Sequence, residues 1–218
     1  MLKHIGKIKD TGTGYVDIRV PIEKTWIFDK QEITECYVIF NDGRTITARQ
    51  RKKAYAIIKD IALWSGYEPE EAKELLKYEM VVKTGCEYIS LSDCTVSQAR
   101  EYISFLVDFC LENDVPVSEP LLNNCEDIGR YLYACLIHRK CAICGAHADI
   151  HHVDRVGMGR NRKKIVHEGM EAIALCRHHH LEAHNNEAEL FHKFRVYGIE
   201  LDEYLCKKLK LKGVNEAE

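Results

Sequence analysis

No run of about 18 apolar residues occurs anywhere in the chain, so no membrane-spanning helix is expected. There is no internal repeat and no low-complexity tract, which excludes an array of like units. The opening stretch MLKHIGKIKDTG lacks an apolar segment followed by a small-residue cleavage site, so it does not read as a secretory signal. A cytoplasmic protein with reduced thiols is the expectation. Charge of one sign is lacking too: the formal net charge is −3. What remains is ordinary for a folded chain, with 46% hydrophobic and 30% charged residues over 218 positions. That length allows one large domain or two small ones.

Cysteine and histidine are not scarce. Ten cysteines in a reduced compartment are not a disulfide framework. Cys36, Cys86, Cys94, Cys110, Cys125, Cys135 and Cys206 are scattered and read as small buried hydrophobes. Cys141, Cys144 and Cys176 keep different company. Ten of the eleven histidines lie between 138 and 192, which places a boundary between about 120 and 138. Basic residues cluster twice, at RQRKK (49–53) and RVGMGRNRKK (155–164). Such clusters suit phosphate contacts even in a slightly acidic chain, or form solvated faces.

Hydrophobic periodicity outlines the elements. GYVDIRVPI (14–22) alternates loosely, and residues 32–50 read as two strands joined at Asn41-Asp42-Gly43. Helical patterns cover 51–66, ending at Gly66, then 68–80 with Pro69 at its start, and 95–114 with Thr95 or Ser97 as cap. Another covers 124–140. Trp64 reads as a core residue. Residues 148–154 are extended, and 172–198 turn from a strand into a helix. The tail from 199 reads as helical.

Cys141 and Cys144 have the C-x2-C spacing that lets two thiolates grip one tetrahedral zinc. Cys176 and His179 repeat the spacing and complete a Cys3His set. His147 is a rival to His179. His180 and His184 are four apart and share a helix face, so both imidazoles can reach one ion. His151 and His152 are adjacent on an extended segment and point to opposite faces. That geometry predicts a division of labour. His151 joins His180 and His184 in a second, open metal site, and His152 is left free to act as a base. His138, His178 and His192 read as ordinary surface or core residues.

C-x2-C, then His-His, then C-x2-His-His-x3-His resembles the HNH nucleases over about 141–190, in their zinc-stapled subgroup. The resemblance implies a ββα-metal unit, a general base at His152, a catalytic divalent ion (Mg2+, Mn2+ or Ni2+) on His151, His180 and His184, and a structural Zn2+ on Cys141, Cys144, Cys176 and His179. Phosphodiester hydrolysis then follows: neutral imidazole can take a proton from water near pH 7, while a cation stabilises charge on the phosphate. Arg155, Arg160, Arg162, Lys163 and Lys164 would hold flanking phosphates. One departure stands out. The family's middle Asn has no counterpart at the matching position, which is Glu171. His167 and Asn161 are neighbouring candidates for its role.

Residues 31–125 resemble the NinB/Orf family of recombination proteins, through DGRTITARQRKKAYAIIKDIALWSGYEPEEAKELLKYEM and LSDCTVSQAREYISFLVDFCLENDVPV. That resemblance implies single-stranded DNA binding in support of a recombinase, often as a homodimer. Arg49, Arg51, Lys52 and Lys53 could then track phosphates, and Trp64, Tyr55 or Tyr67 could stack bases. The whole arrangement resembles phage-encoded HNH nucleases. The expectation is an α+β protein of two domains in a bacterial host's cytoplasm. Residues 1–135 form a mixed hairpin-plus-helices, NinB/Orf-like DNA-binding recombination domain. Residues 136–218 form a zinc-stapled ββα-metal HNH endonuclease domain. Its partners are single-stranded or branched DNA, with a single-strand-binding protein and a phage recombinase alongside. The alternative is a non-catalytic, zinc-stapled DNA-binding recombination mediator.

Overall fold

A computed structural model describes residues 6–22, 44–153 and 166–212. The chain divides into two compact units, 1–42 and 43–218. In the first, β1 (Lys7–Gly12) and β2 (Tyr15–Arg19) form an antiparallel hairpin. Gly14 takes φ +88°, a value that glycine reaches without a Cβ clash, and this closes the two-residue turn. The alternating stretch from 14 does become a strand. Its partner was not legible, because KIKDTG has little β-branched character. The remainder of the predicted hairpin around Asn41-Asp42-Gly43 lies outside the described residues.

In the second unit, the described residues form seven helices and a small sheet: α1 (Ala48–Ser65), α2 (Pro69–Thr84), α3 (Val96–Glu112), α4 (Leu121–Asn124), α5 (Ile128–His138), β3 (Asp149–His152), β4 (Glu171–Leu175), α6 (Arg177–Phe194), β5 (Ile199–Glu200) and α7 (Glu203–Leu209). The sheet order is β3-β4-β5, all antiparallel.

The strand expected to run to residue 50 gives way to helix at Ala48. The cause is a capping box: Thr47 Oγ1 accepts from the Gln50 N–H at 3.1 Å, and the Gln50 side chain accepts from the Thr47 N–H at 3.1 Å. Among the described residues of that stretch, Thr45 keeps a strand-like bridge, to Thr95. Thr95 and Gln98 cap α3 in the same way. Gly66 and Gly85 end α1 and α2 in left-handed geometry.

Helix α1 packs on α2 and α3, α3 on α5, and α5 on β4 and α7. One apolar cluster runs from Ile46 to Leu209. Tyr102, Ile103, Leu106, Leu132, Leu136, Ile173 and Leu175 are fully buried in it. Cys94, Cys110, Cys135 and Cys206 sit inside as small apolar groups. Burial pushes the Cys110 thiol up to about 12, which keeps it inert. Cys36 lies outside the described residues. Trp64 is not a core residue: it is 44% exposed and meets Phe109 edge-on at 6.3 Å.

Candidate metal centres

Helix α5 reverses at Arg139, in left-handed geometry. The chain then forms a tight knuckle. Cys141 N donates to Ala146 O at 2.7 Å, and Gly145 N donates to Cys141 O at 2.8 Å. The knuckle is pinned to the core twice, by Ala142 N to Ala174 O (2.9 Å) and by the buried Tyr131 hydroxyl to Ala142 O (3.0 Å). Cys176 is the single residue between β4 and α6 and sits at the helix N-cap, with His179 one turn on.

The four donors converge within 4.8 Å of one another. Cys144 Sγ lies 3.7 Å from Cys176 Sγ. A tetrahedral zinc with bonds of ~2.3 Å puts its sulfurs ~3.8 Å apart, whereas a disulfide needs ~2.05 Å. His179 Nδ1 lies 3.4 Å from Cys141 Sγ and 3.2 Å from Cys176 Sγ, which makes Nδ1 the donor atom. Desolvation within the cluster, with the Cys141 and Cys176 thiols beside it, pushes the exposed Cys144 thiol up to about 12, so a thiolate there needs a cation beside it. The donor set and its spacing fit zinc. His147 is exposed and stands outside this group, while the exposed His178 and the half-buried Glu182 form a fringe that shares His179.

The second cluster lies across the start of α6. His180 and His184 stack with ring centroids 4.8 Å apart. His151, on β3, meets them at 4.8 Å and 5.1 Å. It is only 4% exposed. Its Nε2 lies 2.7 Å from Glu187 Oε2, and its buried Nδ1 has no hydrogen-bond partner among the described residues. A buried ring nitrogen without a partner is costly unless a ligand meets it, and three imidazoles whose ligand atoms lie within 4.8 Å of one another could hold a metal ion. Burial and the neighbouring His151 and His184 hold His180 below the usual imidazole range, in the neutral form that ligates metals.

The sequence model of a family described as "Putative HNHc nuclease" matches residues 17–212. The chain belongs to this family. No curated protein and no solved structure matches it. A nuclease family implies DNA as substrate, and the match spans the helical segment as well as the metal centres.

In this HNH family member, His152 faces away from the three-histidine cluster, as strand alternation requires. Its Nε2 lies 2.9 Å from His167 Nδ1. His167 is anchored in turn: its backbone N–H donates to Lys212 O at 2.8 Å, and its carbonyl accepts from Met170 N. Burial lowers its pKa and favours a neutral ring. Of the two candidates for the middle element among the described residues, Glu171 and His167, it is His167 whose side chain meets His152. Glu171 opens β4, where its carbonyl accepts from Val153 N. Asn161, Arg155, Arg160, Arg162, Lys163 and Lys164 lie outside the described residues.

The basic residues on α1 divide. Arg51 donates from Nε to Leu91 O (2.9 Å) and from its guanidinium to Ser92 O (3.0 Å). Lys53 is half-buried on Glu126 at 2.6 Å. These two hold the helix in place. Arg49 and Lys52 are exposed, and Arg49 lines a shallow depression together with Arg100. Tyr55, Trp64 and Tyr67 are all at the surface.

Sequence reasoning missed Glu187. A signal was present. Asn186-Glu187-Ala188-Glu189 has an N-x-x-E capping pattern, and α6 breaks at Asn186 (φ −154°, ψ 84°). The Asn186 side chain accepts from Glu189 N at 3.3 Å and donates to Glu189 Oε2 at 2.8 Å.

Proposed function

We propose that this protein is a metal-dependent DNA endonuclease in which residues 136–218 cut and residues 1–135 engage the nucleic acid. One observation carries the reading: two adjacent histidines have separate partners, His151 in the three-histidine cluster and His152 on His167. A purely structural or DNA-docking module has no need of the second pair.

His152 acts as general base. In the tautomer where its Nε2–H donates to His167 Nδ1, its own Nδ1 carries the lone pair. That nitrogen takes a proton from water as the oxygen attacks phosphorus and the bond to the 3′ oxygen breaks. His167, neutral through burial, accepts from Nε2–H throughout and holds the ring in this tautomer. It fills the role of the missing asparagine. A divalent ion on His151, His180 and His184 would supply the charge stabilisation that the phosphate and leaving oxygen require. Three imidazoles favour Ni2+ or Zn2+ over Mg2+, with Mn2+ between them. Cys141, Cys144, Cys176 and His179 hold a structural zinc.

Arg49, Lys52 and Arg100 are exposed and suited to phosphate contacts on the helical segment, with Tyr55 and Tyr67 as stacking platforms. Their exposure supports the reading of single-stranded or branched DNA as substrate. The resemblance to recombination proteins supports a role in phage or prophage DNA processing beside a recombinase. No helix among the described residues is long and apolar enough to cross a membrane.

The test is incubation with supercoiled plasmid and labelled branched DNA under Mg2+, Mn2+, Ni2+ or EDTA, with His152→Ala alongside. Metal-dependent cutting that disappears in a folded, zinc-loaded variant is the expected result. DNA binding without cutting under every metal would move the protein to the non-catalytic mediator class.

A further inference from the structure

We propose that Glu187 is a positioning residue of the three-histidine centre, which sets the tautomer of His151 and thereby the affinity of that centre for its cation. This rests on reading His151, His180 and His184 as a metal site.

The argument begins with the two nitrogens of one ring. His151 is nearly inaccessible, at 4% exposed. Glu187 Oε2 stands 2.7 Å from Nε2, so a carboxylate, which only accepts, requires the proton on Nε2. The lone pair is then on Nδ1. That atom is buried and has no hydrogen-bond partner among the described residues. A ligating histidine is commonly held this way, with one nitrogen donating to a carboxylate and the other free for the metal. Without Glu187, the ring is free to carry its proton on Nδ1, where it would repel a cation.

Local structure explains how Glu187 arrives there. The break at Asn186 ends the first part of α6 just beyond His184 and starts a second helical segment, capped by Asn186, with Glu187 as its first residue. The position of Glu187 is therefore set by the break and not by the rise of one continuous helix. Glu187 is itself about one-third exposed, so replacing it disturbs little packing.

The experiment measures affinity and not cleavage. Full-length, zinc-loaded protein is titrated calorimetrically with Ni2+, as wild type, Glu187→Ala and Glu187→Gln. Zinc content and melting temperature are recorded for each. The expected result is roughly 10–100-fold weaker Ni2+ binding in Glu187→Ala, the range for loss of such an outer partner. Glu187→Gln should recover most of the affinity, because its amide oxygen still accepts from Nε2–H. Zinc content should be equal in all three.

Wild-type affinity in Glu187→Ala would overturn the proposal while leaving the metal site intact. A Gln variant as weak as the Ala variant would also overturn it, by showing that the carboxylate's charge or direct ligation matters. Wild-type protein that binds no Ni2+ beyond its zinc would remove the three-histidine reading and this proposal together.

Discussion

Stripping the zinc should separate the molecule into a folded and an unfolded part. The perturbation is exhaustive chelation, or Cys141→Ser, which places a hydroxyl where a fully buried thiolate is needed. The ion joins the knuckle after α5 to the start of α6. Cys144 and Cys176 are 32 residues apart, and closing a loop of that length is worth about 4 kcal/mol from chain entropy alone, by the relation used for disulfides. Complete zinc binding by small finger domains is worth about 10–16 kcal/mol, against a total stability of about 5–15 kcal/mol for a typical domain.

The lower figure weakens β3, β4 and α6, and the upper one unfolds them. Helices α1–α3 pack on one another through Ile57, Ile58, Tyr102, Ile103 and Leu106, at the end of the shared apolar cluster carried by none of the elements that hold the four donors. The assay is amide hydrogen exchange in zinc-loaded and zinc-free protein. Amides of Ala172–Leu175 should lose protection, while those of Ile103–Val107 keep it. Unchanged protection on β4, with an unchanged single melting transition, would refute the assignment of a structural ion to these four residues.

Three further outcomes are expected. Arg51→Ala should destabilise the fold by roughly 1.5–3 kcal/mol, since it removes charge-assisted bonds to two carbonyls, whereas Lys52→Ala should stay within about 0.5 kcal/mol and weaken DNA binding instead; urea melts and salt-dependent binding separate them. His167→Ala should lower kcat about 10²–10⁴-fold with little change in KM, and His167→Asn should restore part of it; equal loss in both would refute a positioning role. Burial raises the phenols of Tyr102 and Tyr131 well above their ordinary value. Below about pH 10 these phenols are neutral in both the folded and unfolded states, but above it only the unfolded chain can ionise them. Stability should therefore fall with rising pH, by roughly 1–2 kcal/mol per unit for each phenol. Tyrosinate absorbance against thermal melts checks this, and full ionisation before unfolding would refute it.

Local patterns were readable because their causes are local. C-x2-C and C-x2-H, each within one turn of chain, and His180 with His184 on one helix face all stand in the structure as their spacing implies. The ends of α1 and α2 at Gly66 and Gly85 are equally local. The start of α1 was also written in the sequence, as Thr47-x-x-Gln50, but the β-branched residues before it suggested a strand. The capping bonds, together with a Gln50 side chain buried against Val96 O and Glu126, decided for helix.

By itself the sequence determined which cysteines and histidines could gather into two clusters, the opposite directions of His151 and His152, and the succession of helices, because helix and strand periods follow from the backbone alone. Only the tertiary structure decided which partner each histidine has. His167 reaches His152 across 15 residues, and Glu187 reaches His151 across 36. The same holds for Arg51 and Lys53, which RQRKK presents as like charges and which the fold commits to carbonyls and to Glu126. Contacts of this kind depend on how packed elements are brought together, and no residue spacing along the chain encodes them.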